Sequence, residues 1–74
     1  MKAFNVDTKK TEEINDKLVA GGTHILIGNE QAVMDYCKEL RNTYILNHYH
    51  SDTAKIQSIC WLKDGRVVVG FGSL

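Results

Sequence analysis

The chain has 74 residues, of which 43% are hydrophobic, and its nine basic and nine acidic side chains cancel at pH 7. These values predict one small globular domain over residues 1–74, and they argue against disorder and against the basic surface that nucleic-acid backbones attract. The absence of a signal-peptide core or a membrane-length apolar run favours a cytoplasmic protein.

The first predicted elements are a short strand and a helix. The N-terminal hexapeptide alternates weakly between apolar and polar residues, as a strand does. Thr8 or Thr11 caps a helix. Ile14 and Leu18 lie on one side of this helix, and Gly21-Gly22 ends it.

A second strand and a second helix follow in the chain. Residues 23–27 read Thr-His-Ile-Leu-Ile and predict a short buried strand, which Gly28 interrupts. Asn29 then caps a helix over residues 30–41. This helix carries apolar residues on one face: Val33, Cys37 and Leu40.

Residues 43–50 have the composition of a strand, and a continuation of the helix from Tyr44 to Tyr49 is the alternative. On a strand, His48 and His50 point to the same side and form a candidate metal pair. Candidates for further ligands are scattered along the chain: His24, Cys37, Cys60 and Asp52. None has a spacing typical of a metal site, so we expect a surface histidine pair and no cofactor.

The C-terminal segment predicts a β-hairpin with strands at about 55–62 and 66–72. Two turns are compatible with Asp64-Gly65. A two-residue loop pairs Leu62 with Val67, whereas a three-residue loop with a left-handed glycine and a bulge shifts the register by one. We prefer the bulged form because it gathers the largest side chains on one face: Ile59, Trp61, Val67, Val69 and Phe71.

Glycines alternate with an aromatic residue at the end of the hairpin. Gly70 and Gly72 flank Phe71, and the missing side chains permit another backbone or a ring to approach closely on that face. Packing under a helix is one use of such a surface, and self-association along a flattened edge is another.

These elements predict an α+β fold, with an antiparallel or mixed sheet of three to five strands, two helices on one face and the hairpin at the end. Little chain remains to cover the other face, although both hairpin faces carry apolar residues. We therefore expect part of the sheet to be exposed or covered by a second molecule, in a homodimer or in a complex with another protein.

No arrangement of residues indicates an enzyme. Cys37 and Cys60 lie in apolar patterns, which is typical of packed thiols and not of an activated Cys–His pair. The turn Gly28-Asn29-Glu30 precedes a helix, where anions can bind, but the carboxylate of Glu30 would repel them. The sequence also lacks a nucleophile elbow and a phosphate-binding loop.

Aromatic residues on the predicted strands indicate binding. Tyrosine and tryptophan dominate protein–protein contacts, and they can also stack nucleic-acid bases where cations lie among them. The predicted partner-binding residues are Trp61, Tyr44, Tyr49, Phe71, Lys63 and Arg66. Protein binding is preferred because few cations lie near the aromatic side chains.

The expected function is that of a non-enzymatic binding module, an inhibitor or adaptor that occludes a surface of a larger partner protein. A nucleic-acid-associated regulator, monomeric or dimeric, is the first alternative, and a small metal- or thiol-dependent enzyme is the second. In its size, cytoplasmic composition and lack of catalytic groups, the chain resembles the small accessory and host-defence inhibitor proteins that bacteriophages encode.

Overall fold

A computed structural model describes residues 1–47 and 54–72, and this part of the chain forms an α+β fold with five strands and one α-helix. In chain order the elements are β1 (Lys2–Asn5), β2 (Thr11–Glu13), a 3₁₀ turn (Asp16–Leu18), β3 (His24–Asn29), α1 (Glu30–Asn47), β4 (Ile56–Trp61) and β5 (Arg66–Phe71). The strands form one mixed sheet in the order β2-β1-β3-β5-β4. Strands β1 and β3 are parallel, and the other neighbours are antiparallel.

The α-helix predicted between the first two strands is wrong. Residues Thr11–Glu13 pair with β1, and helical structure is confined to the single turn Asp16–Leu18. The side-chain oxygen of Asn5 accepts hydrogen bonds from the backbone N–H groups of Asp7 and Thr8, at 2.9 and 3.0 Å. These bonds fix a turn close to where the helix was expected to begin, because asparagine side chains compete with helical backbone bonding.

Residues 14–22, which we call the covering segment, lie on the face of the sheet opposite α1. At the centre of that face are three fully buried residues: Ala3, Ile27 and Val68. The hydrophobic side chains of the covering segment that pack against them are Ile14, Leu18 and Val19. The chain itself therefore covers the centre of this face, for which sequence analysis expected little chain to remain.

A close backbone contact holds the covering segment on β5. A Cβ atom at Gly70 would lie less than 3.0 Å from the carbonyl oxygen of Gly21, and one at Gly22 would lie 2.7 Å from the backbone nitrogen of Phe71. The hydroxyl of Ser58 on β4 accepts a hydrogen bond from the backbone of the same segment at 3.2 Å. The prediction that glycine in the last strand permits close approach of another backbone is confirmed.

The main core lies between α1 and the face of the sheet that α1 covers, which we call the first face. The opposite face, under the covering segment, is the second face. Its buried residues are Val6, Leu26, Val33, Cys37, Ala54, Val67, Val69 and Phe71. Helix α1 has the predicted apolar face, but it is longer than predicted and reaches Asn47. The strand predicted over residues 43–50 is therefore wrong as far as Asn47, and Tyr44 is helical. Tyr49, His48 and His50 lie outside the described residues.

Strands β4 and β5 form the predicted hairpin in its bulged register. Trp61 lies opposite Val67. The backbone N–H of Leu62 donates to the carbonyl oxygen of Arg66 at 2.8 Å, and Gly65 adopts a left-handed conformation with φ of 90°. The three-residue loop is confirmed. Among the described residues, no helix combines the length and the apolar character that crossing a bilayer requires.

Candidate functional site

The two edges of the sheet differ in length and charge. The outer strand β2 has three residues, two of them the acidic Glu12 and Glu13. The other outer strand, β4, has six residues, Ile-Gln-Ser-Ile-Cys-Trp, and none of them is charged. Short charged edges resist pairing with further strands, whereas long uncharged edges invite it. The β4 edge is therefore the candidate site.

The backbone of β4 offers hydrogen-bonding groups on its outer side. Leu62 and Arg66 form a hydrogen-bonded pair, so the alternation of an antiparallel ladder makes Cys60 the next residue bonded to β5. The polar backbone groups of Ile59 and Trp61 consequently point outward. Within residues 1–47 and 54–72, no strand pairs with this side of β4.

A large aromatic side chain stands beside these backbone groups. Trp61 is 62% exposed. It lies on the α1 side of the sheet, as does Ile59, which packs against the main core. Lys63 follows in the exposed hairpin loop. The edge therefore combines main-chain donors and acceptors with an apolar anchor and a nearby cation.

A β-bulge marks the other end of the regular edge. The register with β5 shifts between Ile56 and Ser58, so both Ile56 and Gln57 stand opposite Phe71. The part of β4 with regular alternation therefore begins at Ser58 and continues to Leu62. A strand added to this edge has about five residues with which to pair.

Arg66 is engaged inside the protein. Its Nη1 atom lies 2.9 Å from both carboxylate oxygens of Glu12, and its Nε atom lies 2.9 Å from Asp64. The hydrogen bonds from Asn5 and then Arg66 lower the pKa of Glu12, and those from the backbone and side chain of Arg66 lower the pKa of Asp64. This network connects β5 to β2 across the second face of the sheet, so we leave Arg66 out of the candidate site.

The other predicted partner-binding residues are not brought together. Phe71 is 4% exposed in the main core, so its predicted role on a surface is corrected. Tyr44 is 37% exposed near the C-terminal end of α1. That end lies roughly 20 Å along the helix from the hairpin loop, because α1 begins directly after Asn29, which pairs with Arg66. Tyr49 lies outside the described residues.

A groove between α1 and β4 is a second surface feature, with a volume of about 350 Å³. Its lining residues are Met34, Cys37, Lys38, Arg41, Ala54, Lys55, Ile56 and Phe71. The three cations among them form no ion pair with any residue in the described ranges. Sequence analysis missed this grouping, although the spacing of Lys38 and Arg41 places them on one helical face.

The described residues provide neither an activated thiol at Cys37 nor a cluster of metal ligands. Burial raises the pKa of the Cys37 thiol to about 11, so the group stays protonated at neutral pH. Cys60 is half-buried on the second face. No cluster of three metal-ligating side chains occurs among the described residues. His48, His50 and Asp52 lie outside them.

Comparisons of the chain with models of protein families, with curated proteins and with solved structures find no match.

Proposed function

We propose that the protein is a non-enzymatic binding module whose β4 edge accepts an extended segment of a larger cytoplasmic partner protein. In this role it acts as an inhibitor or adaptor by covering the partner's surface. Small inhibitors encoded by phages, which the chain resembles in size and composition, act in this way. The observation that carries the proposal is the difference between the two sheet edges, of which only β4 is long and uncharged.

Strand addition at this edge uses two kinds of interaction. Main-chain hydrogen bonds to Ile59 and Trp61 supply affinity with little dependence on the partner's sequence, and pockets for alternate side chains supply specificity. The 62% of Trp61 that is exposed corresponds to about 100–150 Å², whose burial contributes about 2–4 kcal/mol. An aromatic anchor beside an open ladder is typical of a protein-binding hot spot.

The test compares two exposed apolar positions. We expect Trp61→Lys to abolish capture of a specific protein from cell extract, because it places a charge at the edge where the added strand must pack. Leu46→Lys is the matched control, since Leu46 is 85% exposed and lies more than roughly 20 Å along α1 from the hairpin-loop end of the sheet, where Trp61 lies. If mass spectrometry finds the same retained protein with both variants, β4 is not the binding surface.

A second candidate function rests on the groove between α1 and β4. Folding gathers Lys38, Arg41 and Lys55 around it, and three cations together can hold a phosphate backbone. This arrangement favours a nucleic-acid-associated regulator as the alternative. Salt-reversible retention on heparin that is lost in the triple glutamine variant supports the alternative, and retention that is unchanged by these substitutions refutes it.

A further inference from the structure

We propose that in the free protein the β4 edge is occupied by β4 of a second copy of the chain. The two strands run antiparallel about a two-fold axis at Cys60. The inference rests on the proposed function, because it makes one edge serve both contacts. A partner protein must then displace the second copy, so self-association regulates access to the binding site.

The chemistry of the strand suits self-pairing. A strand without charged residues opposes no like charges when it pairs with its own copy. The resulting contact is isologous and closed, and it leaves β2 as the outer strand at both ends of a continuous sheet. Because β2 is short and acidic, the sheet does not grow further.

The outward-facing backbone groups limit the possible registers. In an antiparallel pair these groups must face each other, so the axis must pass through a residue and not between two residues. An axis at Trp61 pairs Ile59 and Ser58 with Lys63 and Asp64 of the hairpin loop, which lie outside the strand. An axis at Ser58 pairs the regular half of one strand with the bulged half of the other. An axis at Ile59 places Lys63 directly opposite Lys55 of the second copy, twice, and like charges in that position are destabilising.

The axis at Cys60 avoids these three conflicts. Ile59 then faces Trp61 of the second copy twice, on the α1 side of the sheet, and each exposed indole gains an apolar neighbour. Lys63 faces the uncharged Gln57. The pairing uses Ser58 to Leu62, which is the regular part of the edge.

This register brings two thiols together. Cys60 bonds to β5, so on the outer side it occupies a non-hydrogen-bonded position, where opposite Cα atoms are about 4.5 Å apart. That separation lies within the range of a disulfide, and both side chains point to the same face. Cys37 is buried and does not compete for an oxidant.

Oxidation of the purified protein with diamide tests the register. When the bond between the two Cys60 sulfurs forms, the two thiols lose two protons and two electrons. Diamide accepts the protons and the electrons and is reduced to the hydrazine. Within a dimer this linkage should be about a thousandfold faster than between separate molecules at micromolar concentration, because the paired thiols have a millimolar effective concentration. The Cys37→Ser variant should form the disulfide-linked dimer as fast as the natural chain. The Cys60→Ser variant should form no disulfide, but it should still sediment as a dimer.

Two single-cysteine controls exclude other registers and chance collisions. In the Cys37→Ser, Cys60→Ser background, Ser58→Cys and Lys63→Cys should each link slowly, because their copies are several residues from the axis. Trp61→Lys should give a monomer with an unchanged circular dichroism spectrum, and Leu46→Lys should remain a dimer. Fast linkage through Ser58→Cys, or slow linkage of the natural chain in a sedimenting dimer, overturns the register.

The same variants distinguish this inference from the proposed function. A natural chain that sediments as a monomer at roughly 100 µM, where even a weak specific contact is populated, overturns self-pairing whether or not a partner is captured. If Trp61→Lys abolishes the dimer while the partner is still captured, the proposed function fails at β4 and self-pairing stands. Loss of both supports a shared edge, and excess partner should then slow the Cys60 linkage.

Discussion

Replacing Gly70 by alanine should separate the covering segment from β5 and destabilise the whole domain. The added methyl group would overlap the carbonyl oxygen of Gly21, which belongs to backbone and cannot rotate away. Gly22 and Thr23 restrict any shift, because Gly22 packs on Phe71 and the N–H of Thr23 donates to the carbonyl oxygen of Phe71 at 2.9 Å. The segment must lift away from the sheet as a unit.

The expected loss is about 2–4 kcal/mol of unfolding free energy. Overpacking of a well-packed site contributes about 1–3 kcal/mol, and partial exposure of Leu18 and Val19 adds about 1 kcal/mol. A domain of 74 residues has a total stability of about 4–11 kcal/mol. The thermal midpoint should therefore fall by about 8–32 °C.

Urea unfolding followed by far-UV circular dichroism measures this difference. Gly65→Ala is the matched control, because Gly65 has φ of 90° but nothing within 4 Å of an added methyl group. It should show only the conformational strain of about 1 kcal/mol. If the midpoints of the Gly70 and Gly65 variants coincide, the covering segment does not lie on β5 as described.

Three further predictions concern titratable groups. The pKa of Glu12 is lowered in the folded protein, so this carboxylate stabilises the fold above its unfolded pKa of about 4.3. The stabilisation is lost as the pH falls through the pKa of the folded protein. The difference in urea midpoint between the natural chain and Glu12→Gln should therefore shrink below about pH 4. Iodoacetamide at pH 7.5 should alkylate Cys60 much faster than Cys37, whose thiol pKa burial raises to about 11, and equal rates measured by mass spectrometry would contradict the described core. The double change of His48 and His50 to glutamine should leave the thermal midpoint unmoved with and without zinc, and a zinc-dependent drop would restore a metal site.

Local signals predicted the elements that form mainly from local interactions. The left-handed Gly65 in the hairpin loop and the three-to-four-residue spacing of Val33 and Cys37 on α1 both appear in the fold as expected. The missing first helix has a different cause. The side chain of Asn5 forms a local turn that the helical pattern did not predict, and Ile14 and Leu18 pack on the sheet, a long-range contact that their spacing along the chain does not reveal.

To predict the candidate site from the sequence, one must know which strand of the hairpin lies inside the sheet and which lies at its edge. Residues Val67–Val69 of β5 are all fully buried, with neighbours on both faces, because β5 lies between β3 and β4. A continuous apolar run is typical of a strand covered on both faces. In contrast, β4 intersperses Gln57 and Ser58 among apolar residues, which is typical of a strand with one wet side.

This difference separates the two aromatic residues that sequence analysis placed on one binding surface. Phe71 ends β5, the inner strand of the hairpin, and is buried beneath α1, whereas Trp61 ends the outer strand β4 and remains 62% exposed. Trp61 therefore lies beside backbone groups that no described strand satisfies. A side chain of this size at an unprotected edge gains several kilocalories per mole from any strand that pairs there, and the proposed partner and the proposed second copy compete for that same gain.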